Sequence, residues 1–422
     1  MIRMIRFVAI LIACAATAAG QCSVPAVDVT LPPTTRADTG DSLLITSFFT
    51  TKDTKGSIAL TNLEGVSSWT YCHNAEHTFM TRALPGGDLL VISNVDYKNY
   101  TVAEIDMSGN TLASLTEGEA NAQLAKLGAQ SIIDFNHEAR QLPNGYIMAI
   151  AHNEQLSTTA QGGTPQNPVD IMGDEILVLD TNWRVVWTWN AFDFLPVSRA
   201  AVLGERCKAC SQGNSSGCCP VTLATKANDW LHGNSLAYDS TDGNIIMSLR
   251  NQDWVIKIDY EDGAGNGQIL WTLGNEATIN PMTEINLPGI PSPWFSGQHD
   301  VEVWTNDSPK LLTLFDNGNT RHSTDKSATS RGQVLSLDEA AMTASLETNI
   351  VFPFYSSGYG TSQILDNGNY WWQAGAAAGK YSDYPTQGLE YVPAGFGGIE
   401  AYAIEFADSA YRSFRLDSSS GF

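Results

Sequence analysis

Apolar residues in this chain come in short runs set off by glycine- or asparagine-centred turns, and nowhere does a helical period dominate. The runs Leu89 to Ile92, Tyr146 to Ile150, Ile245 to Leu249, Leu311 to Phe315 and Tyr370 to Trp372 each follow a turn sequence. Those turns are Leu84 to Gly87, Leu142 to Gly145, Thr241 to Asn244, Asn306 to Pro309 and Leu365 to Asn369. A turn of this chemistry between two β-rich runs predicts a hairpin. A further run, apolar residues alternating around an acidic one, follows each: Val102 to Asp106, Glu175 to Asp180, Val255 to Asp259, Val334 to Asp338 and Ala401 to Phe406. Several lead through a polar turn into another strand, as Trp183 to Trp189 and Gln268 to Leu273 do, so the repeating unit has four strands.

Gly87 and Gly145 are 58 residues apart and Gly145 and Gly243 are 98 apart, the longer interval containing a Cys-rich stretch from Arg206 to Pro220. One repeat therefore carries a loop insertion around residues 206–220, and the underlying period is about 60 residues. Four-stranded units at that period, with few helices, predict an all-β fold: a six-bladed β-propeller with four-stranded blades, counting a degenerate unit from Leu43 to Trp69. A β-helix has much shorter rungs, and a parallel α/β fold needs crossover helices that the pattern lacks.

The first twenty residues read as an export signal, with Arg3 and Arg6 ahead of an apolar run from Phe7 to Ala16 and small residues at Ala18-Ala19-Gly20. That run is too short to span a membrane. Leu11-Ile12-Ala13-Cys14 also resembles a lipoprotein box, so a lipid anchor at Cys14 is the minor alternative. Residues 21–422 form the single propeller domain of an exported, periplasmic or extracellular protein. Without Cys14, six cysteines remain, an even number that suits disulfides: Cys22 with Cys72, and Cys207, Cys210, Cys218 and Cys219 among themselves. Zinc is the competing reading, from the C-x-x-C spacing of Cys207 and Cys210, but adjacent Cys218-Cys219 suits a tetrahedral site poorly.

Composition excludes some function classes. Asp and Glu number 45 against 23 Lys and Arg, a net charge of −22 that repels polyanions, so nucleic acid is not an expected partner. An anionic ligand would need a local positive funnel, supplied by Arg250 with Arg140 or Arg321 as its candidate partners.

The histidines carry the chemistry. His77, His137, His232 and His299 each stand just before or within the first strand of a unit, and first strands line a propeller's channel, so these rings converge near the axis. His73, His152 and His322 read as loop residues. Asp229-Trp230-Leu231-His232-Gly233-Asn234-Ser235 precedes Ser248 to Asp253, and the 18 residues from His232 to Arg250 suit one hairpin that brings Arg250 back beside His232. Gln298-His299-Asp300 opens the next blade.

These motifs, with Asn136-His137-Glu138, resemble the bacterial arylsulfate sulfotransferase family over most of residues 130–320. The resemblance implies a six-bladed propeller that moves a sulfuryl group from a phenolic sulfate ester to a phenol by a ping-pong route through a sulfohistidine, with no nucleotide sulfate donor and no cofactor or metal. It implies that His299 is the nucleophile, that His232, Asn234 and Arg250 bind the sulfuryl oxygens, and that His137 completes the pocket. Members resembling this chain carry an N-terminal β-sandwich that supports dimerisation. Here Gln21 to Ser42 separates the leader from the first unit, which leaves the dimer and the acceptor range open. Aryl groups would stack on aromatic side chains such as Trp294, Phe295, Tyr355 or Tyr359, whereas Trp371 and Trp372 read as blade packing.

Two other classes compete. A non-catalytic propeller could recognise a protein or carbohydrate at its channel mouth, in which case the histidines would not converge. A calcium-dependent propeller hydrolase needs free carboxylates at the blade starts, where Glu138 and Asp300 are the only candidates.

Overall fold

The computed structural model of the chain describes residues 24–49, 56–72, 77–95, 98–210, 218–285, 295–305, 309–378 and 384–417. The leader, Cys14, Cys22, His73, Trp294 and the turn beginning at Asn306 lie outside them. What forms is all-β and β-propeller-like. Five blades are each built from four strands that follow one another in the chain, beginning at His77–Ala83, Asp134–Gln141, Gly233–Asp239, His299–Trp304 and Thr361–Ile364. A further four-stranded sheet is composite: Leu43–Phe48, Ser57–Asn62 and Ser67–Cys72 are joined by Ala410–Leu416 from the far end of the chain.

The expectation of six uniform four-stranded blades is corrected accordingly. The unit from Leu43 to Trp69 supplies three strands only, because its innermost strand comes from the C-terminal end. Two sheets gain a fifth strand, and the one starting at Asp134 grows to seven by adding strands of the Cys-rich insertion. Ala401 to Phe406 falls in the fourth strand of its blade, Gly397–Phe406, and the third is Thr386–Ala394.

The apolar runs are continuous because middle strands are buried on both faces, and alternate residues serve different neighbours. Met148 and Ile150 pack with Leu236 and Met247 of the next sheet, while Ile147 and Ala149 pack with Leu90 and Ile92 of the previous one. Ile45 and Leu44 divide in the same way. So do Trp371 and Trp372, which fill separate interfaces and are blade packing as expected. One further core between blades, around Val301, Leu312 and Leu335, completes the six. The innermost strands contact one another in a closed cycle, Ala410–Leu416 lying between Thr361–Ile364 and His77–Ala83.

One helix, Glu117–Leu127, has clear local causes. Thr116 and Glu119 form a reciprocal capping box, and Gly128 ends the helix at a left-handed φ of 70°. It buries Ala120 and Leu124 against the blade packing. In the insertion, disulfides join Cys207 to Cys219 and Cys210 to Cys218. The expected Cys22–Cys72 pair falls partly outside the described residues. Lys226–Asp229 then runs parallel to Val169–Leu179, fixing Asp229 just ahead of His232. Among the described residues no helix is long and apolar enough to cross a membrane.

Candidate active site on the propeller axis

Three inner strands change register where their chemistry sits. The pairing slips beside His137, between Gly233 and Ser235, and between His299 and Glu302. His137, His232 and Asp300 there adopt left-handed φ of 52°, 55° and 49°. A bulge of this kind re-aims a side chain that a regular strand would send into a blade interface. The rings of His137 and His232 consequently meet with centroids 4.6 Å apart.

The hairpin expected to return Arg250 to His232 does so: the Arg250 N–H donates to the His232 carbonyl (3.3 Å) and the Asn251 N–H to Leu231 (2.9 Å). The Arg250 guanidinium, mostly buried, donates to Asn251 Oδ1 (2.6 Å) and is 4.0 Å from Glu205. Asn234 is fully buried, its amide nitrogen donating to the Gln298 carbonyl (2.7 Å) and its backbone carbonyl accepting from Arg412. It thereby ties the strand after His232 to the segment before His299. His77 opens its inner strand, and its side chain is outside what the structure describes.

Hydrogen bonding fixes the tautomer of each ring. Asn317 Nδ2 donates to the carbonyls of Ser356 and Tyr359, so its Oδ1 must be what faces His299 Nδ1 at 2.7 Å. Asn136 Nδ2 donates to Asp134, leaving its Oδ1 for His137 Nδ1 at 2.8 Å. His232 Nδ1 meets Asp229 Oδ2 at 2.7 Å. All three rings thus carry a proton on Nδ1 and turn Nε2 to the site, the partner being an amide oxygen at His137 and His299 and a carboxylate at His232. His299 Nε2 accepts from the Tyr359 N–H at 3.2 Å, as a lone pair would.

The fields differ. Burial, followed by the charge of Arg250, holds His299 well below the ordinary imidazole range, and burial with neighbouring His232 does the same to His137. Burial would raise the Asp229 carboxyl, but His232 outweighs it and brings it to about 2. His152 is no loop residue: it lies in the strand Ile147–Ser157, buried, 3.0 Å from Asp134 Oδ2. Burial opposes its charge, yet Asp134, Asp174 and Asp229 lift it to about 9. His322 likewise belongs to the short helix Asn319–Thr324, its ring stacked on Tyr355 at 3.7 Å.

Directly inward of the imidazoles, a buried charge cluster crosses the axis. Arg412 pairs with Asp300 and, at 3.1 Å, with Glu138; Arg82 reaches Glu138 at 2.7 Å, Asp300 at 2.9 Å and Glu302 at 2.9 Å. Burial pushes the Glu138 carboxyl up, while Arg412 and Arg82 outweigh burial at Asp300 and hold it low. Beyond this plug, the opposite ends of the inner strands line a cavity of about 330 Å³ that includes Arg140, Glu302, Trp304 and Phe414. Arg140 lies there against Glu302 and Arg321 is paired with Asp316, so neither forms the expected funnel. Arg82 and Arg412 are the axial cations that the sequence reading missed. Aromatic rings border the imidazoles: Tyr359 is 6.4 Å from His299 and Tyr411 is 6.2 Å from His137, with Phe49 and Phe79 behind them. Phe295 is in a blade core.

Among known proteins, the arylsulfate sulfotransferase AssT of Escherichia coli O6:H1 is 26% identical over 220 residues, which take in 45% of this chain and 35% of that protein. The match thus spans about a third of that relative's length. Solved structures align weakly: the Malassezia sympodialis allergen Mala s 1 at 9% identity and a TM-score of 0.42, covering 90% of this chain and 92% of its own. The Pseudomonas aeruginosa periplasmic gluconolactonase PpgL aligns at 13% and 0.40, covering 87% and 82%. Scores so low have no bearing on function. The model of one family, however, described as arylsulfotransferase (ASST), matches residues 29–407, and the chain belongs to that family.

Proposed function

We propose that this protein is an exported arylsulfate sulfotransferase that moves a sulfuryl group from a phenolic sulfate ester to a phenol by two displacements, without a nucleotide sulfate donor. The observation that carries the reading is the arrangement at His299: buried, held below the imidazole range, Nδ1–H bonded to an amide oxygen, with the lone pair on Nε2 met by the Tyr359 N–H and the Arg250 charge bearing on it. In the first step the Nε2 lone pair forms a bond to sulfur, and the S–O(aryl) bond breaks with its electron pair on the phenol oxygen. That oxygen takes a proton from Nε2 of His232, whose positive charge is matched by Asp229. In the second step an acceptor phenol oxygen attacks the sulfur of the sulfohistidine, the N–S bond pair returns to His299, and His232 recovers a proton from the acceptor.

Sulfuryl transfer, like phosphoryl transfer, passes through a loose transition state with charge spread over peripheral oxygens, so positioned donors matter most. Arg250 and His232 are assigned to those oxygens, His137 completes the pocket, and Asn234 frames it from the backbone side. Phenoxide leaves readily because a phenol pKa is only about 10. Convergence of His137 on His232 speaks against a channel-mouth binding module. The pairing of Glu138 and Asp300 with arginines speaks against a calcium hydrolase.

The test is 4-nitrophenyl sulfate with and without added phenol. Phenol-dependent release of 4-nitrophenol, one sulfuryl group added to the intact mass by donor alone, and loss of both in His299→Ala are expected. Wild-type release in that variant would reject the nucleophile.

A further inference from the structure

We infer that His152 is a positioning residue of the sulfuryl site, an imidazolium sealed beneath His137 and His232 that fixes the ring of His137 through Asp134 and Asn136 and sets a positive charge under the anionic donor. This rests on the sulfuryl-transfer reading above. His152 is only 6% exposed and is gripped twice by Asp134: its backbone N–H donates to Oδ1 at 3.0 Å and its Nδ1 to Oδ2 at 3.0 Å. From Asp134 the chain continues to Asn136 Nδ2 at 3.2 Å, and from Asn136 Oδ1 to His137 Nδ1 at 2.8 Å. Each link has one allowed donor direction, because the carboxylate can only accept. The ring of His152 thereby reaches the tautomer of His137 without touching it.

The other edge of His152 gives its charge. Nε2 is buried with no hydrogen-bond partner, and the nearest oppositely charged atom is Asp174 Oδ1 at 3.7 Å. A neutral ring with its proton on Nδ1 would aim a lone pair at that carboxylate, whereas a protonated ring aims an N–H. Asp174 also accepts from the Gly233 N–H at 3.0 Å, beside His232, and its Oδ1 and Asp229 Oδ1 are themselves buried without partners.

Three carboxylates therefore face this floor: Asp134 from the inner strand, Asp174 from Val169–Leu179 and Asp229 from the end of the insertion. Imidazoles of His137 and His232 face it from above, with ring centroids 6.2 and 6.4 Å from His152. Were His152 neutral, these carboxylates would oppose a sulfate ester bound over them. Protonated, it cancels one of them beneath the rings of His137 and His232. Burial works against that charge and the carboxylates outweigh it, so the ring stays charged up to about pH 9 and loses the proton above.

Donor-only kinetics test this, because no acceptor phenol is present to titrate. With 4-nitrophenyl sulfate alone, the burst of 4-nitrophenol in the wild type is expected to decline as pH rises through about 9. In His152→Gln the burst kcat/KM should fall by about tenfold or more at neutral pH, with that alkaline decline gone. In Asp134→Asn the decline should move to lower pH, since the raising charge is removed. Nitrogen-15 shifts of wild-type imidazoles read the same state without any variant: His152 protonated on both nitrogens at neutral pH, His137 on Nδ1 only. A wild type that bursts normally while His152→Gln keeps its rate and pH profile overturns this inference alone, as does a singly protonated His152. A wild type that neither bursts nor gains a sulfuryl group overturns the transfer reading, and this inference with it.

Discussion

The Nδ1 proton of His299 goes to an amide oxygen and that of His232 to a carboxylate, and in the proposed reaction this one-atom difference separates the nucleophile from the proton donor. An amide holds the ring without favouring the imidazolium, so Nε2 keeps its lone pair. Asn317→Asp is therefore expected to raise the His299 pKa and lower kcat/KM about tenfold at neutral pH, with recovery as pH rises. A pH–rate profile identical to wild type would remove Asn317 from this role. The stability linkage of His152 has a definite sign. Its folded-state value of about 9 lies above the ordinary imidazole value, so its contribution is full below about pH 6.5 and is lost as pH climbs through 9. At this scale the histidines were legible because blade symmetry gives them a shared phase. Arg82, Arg412 and His152 were not: a single charged residue inside an apolar strand looks the same whether it faces solvent, a blade or the axis. Asn234 was legible as important, but its amide is held by Gln298.

Among the elements, the Cys-rich insertion shows how a surface loop can govern a half-buried ring. Its disulfides hold Arg206–Ala209 beside Cys218–Cys219, Arg206–Ala209 pairs with Lys226–Asp229, and the last residue of that strand is the partner of His232. Opening both disulfides by Cys207→Ser with Cys210→Ser should loosen the aim of Asp229 while leaving the blade cores intact. Expected is a several-fold fall in kcat with little change in the midpoint of global unfolding. Equal loss of both would mean that the insertion supports the fold and not the site. The hairpins were readable because their turn residues and apolar runs are local. The helix Glu117–Leu127 was also readable in principle, since Thr116, Glu119 and Gly128 are its caps, but it is short among strands and its apolar stripe is weak. Thr386–Ala394 as a third strand was hidden by distance, because Ala377–Ala378, which pairs with Tyr355–Ser356, stands between it and its partner Tyr370–Ala374.

For the whole molecule, closing the ring and completing the site are the same event. Arg412 sits in Ala410–Leu416, the last of the described strands, which joins a sheet otherwise made of Leu43–Phe48, Ser57–Asn62 and Ser67–Cys72, and only after it docks are the carboxylates of Glu138 and Asp300 neutralised. Before docking, Arg82 alone is paired with Glu138 and Asp300, neither of which has any exposure to water, and it shares Glu302 with Arg140. Removing one member of such a cluster leaves a buried charge uncompensated, a cost of about 3–5 kcal/mol, whereas removing charges in matched pairs costs far less. Arg412→Met should thus lower stability by about that much. Adding Asp300→Asn should restore a large part of it, as read from urea unfolding midpoints at constant m. A double variant no more stable than the single one would show that Arg412 acts through strand packing. Activity separates further: the charge-matched double variant can regain its fold without regaining the Arg412 charge that bears on His137 and His299, so under the proposed transfer from an anionic donor to this −22 protein its KM should remain raised.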